Sequence, residues 1–195
     1  MHLRLLIPAC VLASNIAVAQ HQSQWRFGVS LAAPTRMLDV NSLTAPDSSN
    51  GRVSLGVGVG AEAARAWELK PHVTGVVFAR ATTAQVHGQE AGVDWSPGRA
   101  WIVEAGARVE RDVSDRASLF GGAGLSHWAG PVNTAPFAGA GAVLLGIEGG
   151  VSARTGDGPW HVDLTASLTR FGADQARGIP TGFVWRWMIG VRHDH

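Results

Sequence analysis

Trp101-Ile102-Val103-Glu104-Ala105-Gly106-Ala107-Arg108-Val109-Glu110 is the stretch whose reading decides the fold. Every second residue is apolar: Trp101, Val103, Ala105, Ala107 and Val109 alternate with Ile102, Glu104, Gly106, Arg108 and Glu110. A strand sends successive side chains to opposite faces, so this pattern builds one greasy face and one face of glycine and charge. Helical spacing would recur at every third or fourth residue instead. The same period of two runs through Trp25–Leu31, Val53–Ala61, Trp160–Leu168 and Phe183–Val191. Val73–Thr83, Ala117–Leu125 and Val143–Ala153 carry it less regularly. The result is an all-β chain of eight strands, each about 9–13 residues, against the ~9–11 that a tilted strand needs to cross a bilayer.

The connections sharpen the reading. Long segments at 34–51, 85–98, 129–139 and 172–182 alternate with short ones at Trp67–Pro71, Asp112–Asp115 and Thr155–Gly158. Antiparallel up-and-down transmembrane barrels alternate in this way, with short periplasmic turns and longer external loops. An even strand count puts both chain ends on the periplasmic side. Any external ligand would bind on the four long loops.

Alternation alone does not say which face meets lipid. The polar face does, because it mixes glycine with a balanced set of charges. An eight-stranded barrel is only wide enough for side chains to fill, so small residues must sit opposite large ones. Glu62, Arg80, Glu104, Arg108, Glu148, Asp163, Arg186 and Arg192 are therefore expected to pair inside the lumen, since buried charges require partners. A charge-selective narrow pore is the alternative for the same residues. Trp25, Trp67, Trp101, Trp160, Trp185 and Trp187 fall at or near strand ends, where interfacial aromatic belts form. Core tryptophan is the competing reading.

The first residues read as a targeting segment. Arg4 precedes an apolar run from Leu5 to about Ala13, and Ala17 and Ala19 supply small residues before Gln20. These are the parts of a secretory signal, expected at 1–19 with cleavage after Ala19, leaving 20–195 as one barrel domain. Cys10 is the only cysteine and would leave with the leader, so no disulfide is expected. Of 16 basic and 15 acidic residues only Arg4 lies in the leader, leaving the two signs equal. That balance gives no support for nucleic-acid binding.

Several motifs are weighed and set aside. Gly56-Val57-Gly58-Val59-Gly60-Ala61 superficially matches a dinucleotide turn, but no βαβ unit surrounds it. Residues 117–147 carry no Asp, Glu, Lys or Arg, yet Pro131 and Pro136 interrupt them, so a hairpin is expected rather than a helix. Ser126 and His127 point to opposite faces and cannot pair directly. His161 and Asp163 share a face, and His72 stands alone. Structural roles are expected for these histidines, with no cofactor or metal.

Trp187-Met188-Ile189-Gly190-Val191-Arg192 is similar to the last strand of the OmpA/OmpX-like outer-membrane barrels, and the architecture resembles that group across the whole mature chain. The resemblance implies residence in a Gram-negative outer membrane, among its lipid and lipopolysaccharide, after delivery by periplasmic chaperones and the barrel-assembly machinery. It implies a structural, adhesive or envelope-integrity role rather than catalysis. A lipid-A-modifying enzyme is the alternative from another class. The family's terminal aromatic residue is replaced here by His193-Asp194-His195.

Overall fold

A computed structural model describes residues 23–40, 51–90, 93–130, 143–171 and 182–195. The leader expected at 1–19 lies outside the described residues. The described chain forms β1 (Gln24–Ala32), β2 (Thr35–Val40), β3 (Gly51–Lys70), β4 (Val73–Glu90), β5 (Val93–Ser114), β6 (Ala117–Ala129), β7 (Val143–Arg154), β8 (Trp160–Phe171) and β9 (Gly182–Asp194). Each strand pairs antiparallel with its sequence neighbour, and β1 pairs with both β3 and β9, so the sheet closes on itself.

β1 and β2 are one barrel strand in two pieces. Ala32 pairs with Gly58 and Thr35 with Leu55, so both pieces run along β3 in the same register. Ala33 and Pro34 interrupt them; proline has no N–H to donate to a ladder. The barrel therefore has eight staves, as the alternation requires. The segment 34–51, read from sequence as loop, contains strand at Thr35–Val40.

Three staves are longer than expected. β3, β4 and β5 span 20, 18 and 22 residues. Most of the segment 85–98 is therefore not a loop: β4 and β5 continue as a hairpin through Gln89↔Asp94 and Glu90↔Val93. Pro97-Gly98 reads as a breaker, but the ladder absorbs it in a bulge where Val86↔Gly98 gives way to Gly88↔Trp95. The Ser96 hydroxyl donates to the Val86 carbonyl across that bulge at 3.1 Å. At the opposite end the strands also run further, to Lys70 and Ser114, so the turns tighten to residues 71–72 and 115–116. Gly156, at φ 69°, takes the left-handed position in the third turn.

Face assignment follows the alternation along most of the barrel. Val29, Val59, Val103, Leu125, Ile147, Leu164 and Ile189 lie exposed on the outside. In water such a continuous apolar exterior would be an aggregation surface; around a closed barrel it is the face that meets lipid. Val53 and Leu55 depart from the expectation: the alternation with Val57 and Val59 puts them on the outer face, and the structure buries them inside. The cause is the register shift between Leu55 and Gly58, where one irregular step turns the start of β3 over.

Candidate functional site

The lumen holds one connected ionic network. Arg80 reaches Glu62 at 2.9 Å, Glu148 at 2.7 Å and Glu104 at 3.7 Å. Arg108 reaches Glu62 at 3.0 Å, Glu110 at 3.1 Å and Glu148 at 3.4 Å. Arg186 pairs with Glu104. Toward the periplasmic end, Glu110 also holds Arg26 at 2.6 Å and Arg192 at 3.0 Å, while Arg192 lies 3.5 Å from Asp163. The eight charged residues singled out in sequence thus come together in one lumen. Each stands on the inward parity of its own strand, which is why six strands can converge them.

Three members were overlooked. Arg26, Glu110 and Asp194 belong to the network, with Asp194 at 3.3 Å from both Arg26 and Arg192. Their signal was available: Arg26 alternates in step with Gly28 and Ser30 on β1, and Glu110 with Glu104 and Arg108 on β5. Asp194 stands in step with Arg192 but beyond the last clearly alternating residue.

Aromatic rings complete the filling. The Arg80 guanidinium lies 5.0 Å from the Phe78 ring, and Arg108 sits between Phe78 and Phe120 at 5.4 and 5.0 Å. Arg186 lies 5.2 Å from Trp128. Such stacking keeps a flat cation in contact with a ring face while its edge bonds carboxylates. Glycine supplies the room. A Cβ at Gly150 would meet the Phe120 Cε1 at 3.0 Å and press on the Leu164 carbonyl.

Beyond the network, toward the ends of the long staves, the lumen is closed by hydrocarbon. Val53, Leu55, Ala84, Val86, Ala100, Ile102, Trp128, Leu144 and Val184 form one buried cluster. Within the ionic region the spaces are small: 30 Å³ beside Glu62, Arg108 and Asp163, and 20 Å³ beside Glu104, Glu148 and Ser167. Each has room for about one water molecule. The large cavity, 770 Å³, is a vestibule at the periplasmic end lined by His72, Asp112, Arg116, Ser152, His161 and Asp194.

That vestibule relocates the histidine pairing. His161 Nε2 lies 3.6 Å from Asp194, and its Nδ1 lies 3.4 Å from the Ser152 hydroxyl. Ser152 also accepts from Arg192 at 3.1 Å. The three groups are the periplasmic margin of the network. His72 faces Asp112 at 3.9 Å. Ser126 points inward and accepts from the Trp128 indole at 2.9 Å, on the face opposite His127. Among the described residues no group of His, Cys, Asp or Glu is arranged to hold a metal.

The aromatic residues mark two levels on the outside. Trp25 and Trp160 lie exposed near the periplasmic end, and Trp67, half-buried, packs beside Gly75. Trp101, Trp185 and Trp187 lie exposed toward the other end. From His193, which pairs with Trp160, to Trp185 the rise along the axis is about 20 Å, taking ~3.3 Å per residue and the usual tilt. Past the outer level the exterior changes character. On β4 the outward series Val77, Ala79, Ala81, Thr83 gives way to Gln85, His87 and Gln89. On β5, Trp101 is followed by the exposed Arg99. The β4–β5 hairpin therefore leaves the apolar band and stands in water, rising about 20 Å beyond Trp101.

Two comparisons by sequence, with family models and with curated proteins, return no match. Solved structures do match. Neisserial surface protein A is 14% identical, with a TM-score of 0.52 over 89% of this chain and 99% of that one. The outer membrane protein OprG from Pseudomonas aeruginosa is 10% identical, with a TM-score of 0.52 over 89% of this chain and 95% of that one. Identity this low speaks to architecture alone. The ring of eight antiparallel staves, the apolar exterior and these likenesses together give the chain the fold of a small, OmpA/OmpX-like outer-membrane β-barrel.

Proposed function

We propose that this barrel is a non-conducting, non-catalytic surface protein that holds a binding platform outside the outer membrane. The single observation that carries the reading is the extension of β2, β3, β4 and β5 past the aromatic level as a continuous sheet. A barrel built only to span a bilayer gains nothing from hydrogen-bonded strands of this length. Outside the lipid, the hairpin presents Gln85, His87, Gln89, Asp94, Ser96 and Arg99, an exterior polar enough to face water. Its ladder and the bonds Gln85 to Ser96 at 2.6 Å and Gln89 to Asp94 at 3.0 Å hold it in one shape. A preformed platform loses less entropy on binding than a mobile loop does.

The filled lumen supports the non-conducting part of the reading. An ion would have to break charge-assisted pairs around Arg80 and Arg108 and then pass a hydrocarbon cluster at Ile102 and Trp128. The lipid-A-modifying alternative is not favoured by the serine–histidine–acid grouping found among the described residues, because Ser152, His161 and Asp194 lie at the periplasmic end. Lipid A acyl chains occupy the opposite leaflet.

The test shortens the platform. Replacing residues 88–95 by an Asn-Gly turn removes the hairpin tip and keeps the lipid-spanning ladder. Cells displaying the shortened barrel are expected to lose adherence to immobilised glycans and extracellular-matrix proteins while retaining a heat-modifiable, folded band on gels. Full adherence by the shortened protein would refute the platform. Single-channel steps in planar bilayers would refute the sealed lumen.

A further inference from the structure

The two rims of the barrel are charged differently. At the periplasmic rim, cations and acids are mixed: Glu68, Lys70, Asp112, Asp115, Arg116 and Asp157 all stand there. Three of its arginines have partners: Arg65 stacks on Trp25 at 5.7 Å and donates to Ser23, Arg154 donates to the Gly158 carbonyl at 2.9 Å, and Arg116 lies 3.8 Å from Asp157, while the exposed Arg111 is followed directly by Asp112. At the outer aromatic level the lipid-facing side of β5 to β9 carries two arginines and no carboxylate among the described residues. Arg99 stands two residues beyond Trp101 on β5, and Arg170 pairs across the backbone with Phe183 on β9 and Leu145 on β7. Both are exposed, and neither has an acidic partner among the described residues.

A guanidinium at a membrane interface gains from a counter-charge, and a headgroup phosphate supplies one. Arginine binds phosphate through two parallel N–H···O bonds and tolerates partial dehydration better than lysine. Trp101 below Arg99, and Phe183 beside Arg170, place each cation at the depth where ring edges meet headgroups. Arg99 and Arg170 are three strands apart on a curved wall, so they face different neighbouring lipids.

We propose that Arg99 and Arg170 are two separate binding points for the phosphate groups of anionic glycolipid in the outer leaflet, each clamping the headgroup of one lipid A molecule beside an aromatic ring. The outer rim is thereby matched to a leaflet of phosphorylated glycolipid, and the mixed periplasmic rim to a leaflet of ordinary phospholipid.

The experiment compares thermal unfolding in nanodiscs of phosphatidylcholine, alone or doped with bis-phosphorylated lipid A, dephosphorylated lipid A or phosphatidylglycerol. The proteins are the full barrel, Arg99→Gln, Arg170→Gln, the double variant and Arg65→Gln. Bis-phosphorylated lipid A is expected to raise the Tm of the unaltered barrel by about 2–4 °C per arginine. Each outer-rim variant loses about half of that rise and the double variant all of it, whereas Arg65→Gln keeps it. A full rise in the double variant overturns the proposal, and so does an equal rise with the dephosphorylated lipid. An equal rise with phosphatidylglycerol overturns the assignment to glycolipid.

Discussion

Inside one barrel, two neighbouring regions are filled by opposite means. On β5 the change takes a single inward step, from Glu104 to Ile102. The same step runs from Arg186 to Val184 on β9, from Ser126 to Trp128 on β6 and from Thr82 to Ala84 on β4. On the periplasmic side of that boundary, arginines and carboxylates interlock; on the outer side, side chains pack as in a soluble core. The geometry of the staves is the same in both. A closed eight-stranded wall thus specifies how much volume must be filled, while the chemistry of the filling is chosen ring by ring. The two halves differ in what a defect costs. Removing an apolar side chain leaves a space; removing one charge strands its partners in a low dielectric.

The sharpest way to break this contrast is Arg108→Met, which leaves Glu62, Glu110 and Glu148 without a shared partner. Destabilisation of about 3–5 kcal/mol is expected, read as a lower urea midpoint for barrel unfolding in vesicles. Trp128→Ala tests the apolar half and is expected to cost about 3 kcal/mol. Bilayer conductance should remain at the closed level, because Arg186 loses its ring but the arginine–carboxylate pairs beyond it remain; new conductance would show that the arginine–carboxylate pairs do not seal the lumen without Trp128. Gly150→Ala probes the fit between halves of the network rather than its charge. Overpacking against Phe120 and the Leu164 backbone is expected to cost about 1–3 kcal/mol, and a neutral result would mean that the lumen is looser than its voids indicate. Smallest of all, Arg65→Ala removes an exposed stacking contact outside both halves and should shift stability by less than about 1 kcal/mol.

The comparison also explains what was legible in sequence. Period two in Trp101–Glu110 fixes which residues of β5 face inward, and the parity of Arg80, Arg108 and Arg186 places them in a common lumen without any knowledge of neighbours. Where parity breaks, the pattern misleads. Val53 and Leu55 continue the apolar alternation of Val57 and Val59 without interruption, and only the cross-strand register with β4 reveals the step between them. Strand length was hidden for a different reason. Outside lipid, both faces of the β4–β5 hairpin lose their contrast, so Gln85, His87 and Gln89 look like loop although their backbone remains paired. Pro97 reinforced that impression, and its bulge is a property of two strands rather than of one.

The backbone amide of His195 donates to the carbonyl of Trp25 at 2.8 Å. The last described residue therefore lies against the very stave on which the first described strand begins, and the ring has no geometric origin of its own. Joining Ser23 to His195 through a short linker and cutting at Gly156-Asp157 would yield a circular permutant with the same wall, the same register and new ends on the same side of the membrane. Order of synthesis and order of assembly could then be separated in this barrel, because the stave made first would no longer be the one that closes the ring.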